Sequence, residues 1–146
     1  MRFHYKFEKI LDLREKEKDA QAFVYEKAVQ KFKEAAEILY KLLKKKEDVE
    51  EYYYKKIQEG ICVSEIQLEQ QYMTKLQNEI DHYQRKVIRS RAEMQMEEQK
   101  LIEKNIEVKK LEKIKDKEYT AFLNLLKSEE NKVMDEISMQ IVAREK

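Results

Sequence analysis

Apolar side chains recur every seventh residue through the second half of the chain. Counting in sevens from Ile66, eight of nine positions are apolar, and Lys115 is the exception. The column consists of Ile66, Met73, Ile80, Val87, Met94, Leu101, Val108, Lys115 and Phe122. A second column, three residues further on from Glu69 to Leu125, is apolar at only four of nine positions. A repeat of this length predicts a left-handed coiled coil, because a straight helix would drift towards a period of 3.6.

A looser apolar stripe runs through the first half, with spacings of three or four residues. Its members are Val24, Ala28, Phe32, Ala35, Leu39, Leu42, Lys46, Val49, Tyr53 and Ile57. A second apolar cluster near the amino terminus contains Phe3, Phe7, Ile10, Leu11 and Leu13. Residues 14–19 then include no apolar side chain. We therefore predict a first helix that is continuous but weakly packed across this charged gap.

The chain has one glycine and no proline, and Gly60 lies between the two apolar stripes. Glycine adopts the left-handed conformation that ends many helices, while Ser64 and Gln67 have the spacing of a capping box that starts one. A stop and a start so close together predict an antiparallel hairpin rather than one helix with a tolerated glycine.

The predicted fold class is therefore all-α: a long two-stranded antiparallel coiled-coil hairpin with an overhanging C-terminal helix. We expect a single domain over residues 1–146, with helix 1 at about 3–59, a turn at about 60–64 and helix 2 at about 65–143. Folding at Gly60 would set Phe3 close to Phe122. Everything after about Leu125 would then lack a partner within the chain, although it carries apolar residues at helical spacing.

Composition agrees with long helices and narrows the function. Charged residues make up 42% of the chain, yet 31 basic and 30 acidic side chains leave a net charge of +1. Without a strong overall field, a nucleic-acid partner is not expected. No apolar run approaches the ~20 residues that span a bilayer, and the opening residues do not form a secretory signal. These features favour a soluble, intracellular protein without a transmembrane segment.

Catalytic chemistry finds no support in the sequence. Two long helices enclose no pocket that could exclude water, and one glycine cannot form a phosphate-binding loop. Cys62, His4 and His82 match no usual zinc spacing. We predict no catalytic residue, no metal and no cofactor, and an enzymatic function stays open only if the hairpin prediction is wrong.

Tyrosine placement offers candidate contact residues. Tyr52, Tyr53 and Tyr54 are consecutive and therefore point in different directions around a helix. Either Tyr53 packs in the core while the other rings lie along lysine stems, or the three form an exposed patch near the hairpin tip. Tyr72 lies one residue before the apolar column and is predicted to face outward, where tyrosine is an effective contact residue.

Several segments resemble the FliJ family, small coiled-coil components of the bacterial flagellar type III export apparatus. The resemblance begins with residues 5–17 (YKFEKILDLREKE) and covers nearly the whole chain. Further matching features are Gly60 and Ile61 at the turn, Ser64 at a helix start, residues 70–72 (QQY), Leu76, and residues 105–110 (NIEVKK), which resemble the form in Gram-positive bacilli.

The resemblance implies a specific role in flagellum biogenesis, motility and chemotaxis. FliJ proteins are similar to the central stalk of rotary ATPases, and they associate with the export ATPase ring, the export gate protein FlhA and export chaperones. It implies a non-enzymatic cytoplasmic protein, peripherally associated with the inner face of the cell membrane at the flagellar base. A stalk that enters a ring should be monomeric when isolated. The alternative is a generic cytoplasmic scaffold or chaperone that acts by homodimerisation.

The resemblance also implies two sets of contact residues. The set expected to meet the ATPase ring is Phe7, Ile10, Leu13, Arg14 and Phe122. The set expected to meet the export gate is Leu42, Tyr72, Leu76 and Tyr83. Four more gate positions, at which the residue types differ from the family's, are Ile38, Lys45, Val49 and Glu79. Leu42, Leu76 and Tyr83 also lie on the predicted seam, where the alternative is that they are simply core residues.

Overall fold

Two helices make up almost all of the part of the chain that the structure, a computed structural model, describes, namely residues 2–145. Helix α1 spans Glu8–Glu59 and helix α2 spans Val63–Glu145, and residues 2–145 contain no strand. The two helices run in opposite directions and pack against each other, which confirms the predicted all-α hairpin. The chain divides into two compact units. The terminal unit comprises the residues up to Asp19 and those from Ile102 onwards, and the central unit comprises Ala20–Leu101.

The turn between the helices depends on Gly60. Its φ of 96° lies in the left-handed region, which side chains with a Cβ rarely adopt, and its N–H donates to the Ile57 carbonyl over 3.3 Å. The helix start predicted from a capping box at Ser64 and Gln67 is wrong by two residues. Helix α2 already begins at Val63, and the Ile66 N–H donates to the Cys62 carbonyl over 3.1 Å. Cys62 therefore holds the N-cap position, and Ser64 lies within the first turn.

The seam of the central unit, where α1 and α2 face each other, is lined with small and aliphatic side chains. Ile80 and Leu76 on α2 are 1% and 3% exposed, and Ala28 and Ala35 on α1 are also buried. Every residue of the predicted column from Ile66 is buried or half-buried. The second column is as well enclosed until its last member, Leu125, which is 55% exposed. The seam of α2 is therefore more regular than the apolar residues predicted, because polar residues of the second column are enclosed as well.

Helix α1 carries a seven-residue repeat that the apolar stripe only partly identified. Val24 and Ile57, which we predicted on the stripe, are exposed, whereas Tyr25 and Lys56 beside them are half-buried. Alternating steps of three and four connect the enclosed positions: Leu11, Arg14, Lys18, Gln21, Tyr25, Ala28, Phe32, Ala35, Leu39, Leu42, Lys46, Val49, Tyr53 and Lys56. This alternation is the period of a coiled coil.

The core of the terminal unit begins before the first helix. Tyr5 precedes α1, and it is buried together with Leu11 and Val108. Its hydroxyl donates to the Leu111 carbonyl over 2.8 Å. The ring of Phe3 lies 5.5 Å from that of Phe122, as predicted. Helix 1 was expected from about residue 3, but residues 3–7 are not helical because their rings pack across α2.

Charged side chains occupy the seam where α1 has no apolar residue. In the terminal unit, Glu17 pairs with Arg14 over 3.0 Å and with Lys104 over 3.5 Å. Hydrogen bonding from Arg14 holds the pKa of Glu17 below its ordinary value. Lys115, the exception in the apolar column, pairs with Glu8 over 3.1 Å. The helix is continuous here as predicted, but paired charges, rather than weak apolar contacts, cross the gap.

The buried hydroxyl of Tyr5 gives a direct stability prediction. We expect Tyr5→Phe to lower the free energy of unfolding by about 1 kcal/mol, since the Leu111 carbonyl loses a hydrogen bond while the ring stays in place. Urea unfolding followed by circular dichroism measures the change. The control is Tyr119→Phe, because Tyr119 is 47% exposed and its hydroxyl makes no side-chain hydrogen bond within residues 2–145. Equal losses in the two variants would contradict the role of the Tyr5 bond.

The last part of α2 presents an unpaired apolar surface. From residue 127 to residue 145 every side chain is exposed. The large apolar ones among them are Val133, Met134, Ile137, Met139, Ile141 and Val142, between 46% and 74% exposed. We call residues 126–145 the overhang. No helix within residues 2–145 is both long and apolar enough to cross a membrane.

Candidate partner-binding surfaces

An aromatic and charged strip lies beside the seam of the central unit. We call it the tyrosine flank: Lys45 of α1 with Tyr72 and Glu79 of α2, together with Ile38 and Tyr52, which share a face of α1 with Lys45 at a spacing of seven. Tyr72 is 40% exposed, and the Lys45 Nζ lies 5.7 Å from the centre of its ring. The Tyr72 hydroxyl and, more weakly, the Glu79 carboxylate raise the pKa of Lys45. Tyr72 is therefore exposed, as predicted, and a lysine of the other helix lies beside its ring.

The other predicted gate residues differ in how much surface they offer. Leu76 is 3% exposed, so the structure favours the core alternative for this residue. Leu42 and Tyr83 are half-buried. The Tyr83 ring lies 5.4 Å from the Lys86 Nζ and 5.3 Å from the His82 ring. Contact by Leu42 and Tyr83 stays a prediction, and Leu76 lies within the seam.

The three consecutive tyrosines divide between the two alternatives. Tyr53 is half-buried, and its hydroxyl donates to the Ile66 carbonyl over 3.4 Å. The Lys56 Nζ lies 5.3 Å from the Tyr52 ring centre, as expected for a ring along a lysine stem. Tyr54 is 65% exposed. Tyr53 thus belongs to the seam, while Tyr52 and Tyr54 remain accessible.

The residues predicted to meet an ATPase ring lie in the terminal unit. Ile10 and Leu13 are 44% and 53% exposed, and they form an apolar surface on the first turns of α1. Phe7 and Phe122 are half-buried, and each packs in the aromatic cluster at this end. Arg14 is held by Glu17. Ile10 and Leu13 are therefore the members of this set that offer free apolar area.

Sequence reasoning missed a groove in the central unit. It has a volume of about 500 Å³ and lies between α1 and α2. Ile38 and Tyr83 line it together with the basic residues Lys31, Lys86 and Arg89. The available signal was the segment 82–92, which contains four Arg or Lys residues and no Asp or Glu. Within residues 2–145 no group of His, Cys, Asp and Glu side chains is placed to hold a metal ion.

Comparisons with known proteins relate this chain to one family. A family model described as "Flagellar FliJ protein" matches residues 3–146. The curated "Flagellar FliJ protein" of Bacillus subtilis (strain 168) is 41% identical over 140 residues, covering 96% of this chain and 95% of that protein. No solved structure gave a significant match. Because the family model matches nearly the entire length of this chain, the chain belongs to the flagellar FliJ family.

Proposed function

We propose that this flagellar export component is a non-enzymatic stalk that links the export ATPase ring to the export gate protein FlhA and handles export chaperones. It would act in the cytoplasm, associated peripherally with the inner face of the cell membrane at the flagellar base. The observation that carries the proposal is that each unit presents its own exposed contact surface. A linking protein needs two such surfaces, whereas an enzyme needs a pocket closed to water.

The surface proposed for the ATPase ring belongs to the terminal unit. It combines Ile10 and Leu13 of α1 with the overhang of α2, all of which are exposed apart from the half-buried Leu126. Single exposed apolar residues are common on protein surfaces, but exposed apolar area that continues over several helical turns usually marks an interaction site. The aromatic cluster of Phe3, Tyr5 and Phe122 holds α1 and α2 together at this point.

The surface proposed for the gate belongs to the central unit, and Tyr72 is its principal residue. Tyrosine contributes large, rigid contact area with a polar tip, and it is enriched among residues that dominate binding energy. The Lys45 ammonium lies 5.7 Å from the ring centre, and a cation–π contact of this kind favours one position of the ring. A ring that is already held in place loses little conformational freedom on binding.

We expect Tyr72→Ala to weaken binding to the cytoplasmic region of FlhA about thirtyfold or more, since truncating a dominant interface tyrosine costs about 2 kcal/mol or more. Isothermal titration calorimetry with the purified proteins measures the affinity. The matched control is Tyr40→Ala, which removes a tyrosine that is 66% exposed on α1 and lies outside the tyrosine flank. In a deletion strain, the Tyr40 variant should restore flagellar filaments and the Tyr72 variant should not. Unchanged affinity for the Tyr72 variant would count against this surface.

A further inference from the structure

The segment 82–92 of α2 carries a concentration of positive charge that the stalk proposal does not use. It contains Arg85, Lys86, Arg89 and Arg91 and no acidic residue, in a chain whose net charge is +1. None of the ion pairs shorter than 4.0 Å within residues 2–145 includes any of these four side chains. Lys86 and Arg89 are exposed. Unpaired cations of this density create a local field even where the overall charge is close to zero.

The groove of the central unit places some of these cations around an apolar surface. Ala35 of α1 and Ser90 of α2 both line the groove, and they are 3% and 8% exposed. Because both side chains are small, the helices leave an open groove of about 500 Å³ above them. Ile38, which is 39% exposed, and the half-buried Tyr83 form its apolar wall.

The rim of the groove is predominantly basic. Lys31 of α1 and Lys86 and Arg89 of α2 line it, and none of them is in an ion pair within residues 2–145. Two acidic residues, Glu34 and Glu93, also line it, and the amide of Gln30 donates to Glu34 over 3.5 Å. The three cations therefore outnumber the carboxylates. The Lys86 Nζ lies 5.4 Å from the Tyr83 ring centre, so this cation and the apolar wall are adjacent.

We propose that this groove binds an acidic segment of the export gate, with one aliphatic or aromatic side chain inserted between Ile38 and Tyr83. The inference rests on the proposed gate contact and extends it. Ile38 belongs to the tyrosine flank, so a single partner segment that covers Tyr72 can continue into the groove. A phosphate backbone would not require an apolar wall between the cations, whereas an acidic peptide with an apolar anchor uses both features.

Reversal of two rim charges tests the proposal. Lys86→Glu combined with Arg89→Glu should weaken binding to the purified cytoplasmic region of FlhA about tenfold at low salt, and the difference should shrink as salt screens the charges. The control is Lys110→Glu combined with Lys113→Glu. Both control lysines are exposed, and neither is in an ion pair shorter than 4.0 Å within residues 2–145. This pair makes the same change in net charge on the same helix, and circular dichroism compares the folding of both variants.

The outcomes separate this inference from the function on which it rests. If the Tyr72 variant loses binding while the rim variant binds like the control, the gate contact stands and the acidic-segment proposal is overturned. If the unsubstituted chain does not bind the gate region, both are overturned. If the rim variant loses affinity for a duplex DNA probe but not for the gate region, the groove is a polyanion surface and the proposal is wrong. Selective, salt-dependent loss of gate binding supports it.

Discussion

Replacing Ile80 by alanine should lower the free energy of unfolding by about 2–5 kcal/mol, the usual cost of removing a large aliphatic side chain from a core. Ile80 is 1% exposed, it belongs to the apolar column of α2 that begins at Ile66, and it lies one turn from the buried Leu76. A two-helix seam has no third layer that could collapse into the cavity. The loss should therefore fall towards the upper part of that range, as measured by urea unfolding of the full chain.

A matched control exists on the same helix. Ile88 is 69% exposed, and Ile88→Ala should change the free energy of unfolding by less than about 0.5 kcal/mol, as surface substitutions usually do. Both variants remove the same atoms from the same kind of residue, so helix propensity changes equally. Similar losses at the two positions would show that Ile80 does not lie in a packed seam.

We expect the full chain to stimulate ATP hydrolysis by the cognate export ATPase, and removal of the overhang should abolish this stimulation. A chain that ends at Leu125 lacks the overhang and its exposed apolar side chains, while the aromatic contacts of Phe3 with Tyr119 and Phe122 remain. We therefore expect the shortened chain to leave ATP hydrolysis at its basal rate without a large change in its own unfolding. The assay compares phosphate release by the cognate ATPase with either chain added.

Single substitutions refine this prediction. Ile137→Asp places a charge on the apolar face of the overhang and should reduce stimulation strongly. Asn131→Asp adds the same charge at an exposed polar position of the same helix and should reduce it little. If the chain ending at Leu125 stimulated the ATPase as fully as the complete chain, the overhang would not be the contact that the proposal requires.

The seam of α2 was largely predictable because its first column is almost uniformly apolar. The second column was identified only as a patchy one, since hydrophobicity alone gives no reason to enclose its polar members. Glu97 illustrates the difficulty: its carboxylate accepts from the Gln21 amide over 2.6 Å, and that partner lies 76 residues away in sequence. Such pairs also fix the register, because a shift of one heptad would separate them.

Helix α1 was predicted less well for a related physical reason. Arg14, Lys18 and Gln21 continue its repeat with polar side chains, so the apolar pattern selected Val24 in place of Tyr25 as the enclosed residue. Its start was misplaced because apolar residues before Glu8 resemble the beginning of a helix. Their rings instead pack on α2 outside any helical turn, which is a tertiary effect that local pattern does not contain.

The candidate contact residues divide in the same way. The outward position of Tyr72 followed from its place beside the column, and the place of Leu76 on the second column gave the core alternative for that residue. The groove could not be predicted, because Lys31 and Arg89 come from different helices and meet only once the register is set. The basic segment itself was visible in the sequence, but its apolar wall required the position of Ile38 opposite Tyr83.

The central claim is that this chain links two other components, and a bridging assay tests it most directly. The cytoplasmic region of FlhA is immobilised, and retention of the purified export ATPase is measured with and without this chain. The account predicts that the ATPase is retained only when the full chain is present, and that both the Tyr72→Ala chain and the chain ending at Leu125 fail to retain it. Retention that is equal with and without the chain, or equal for all three chains, would contradict the account.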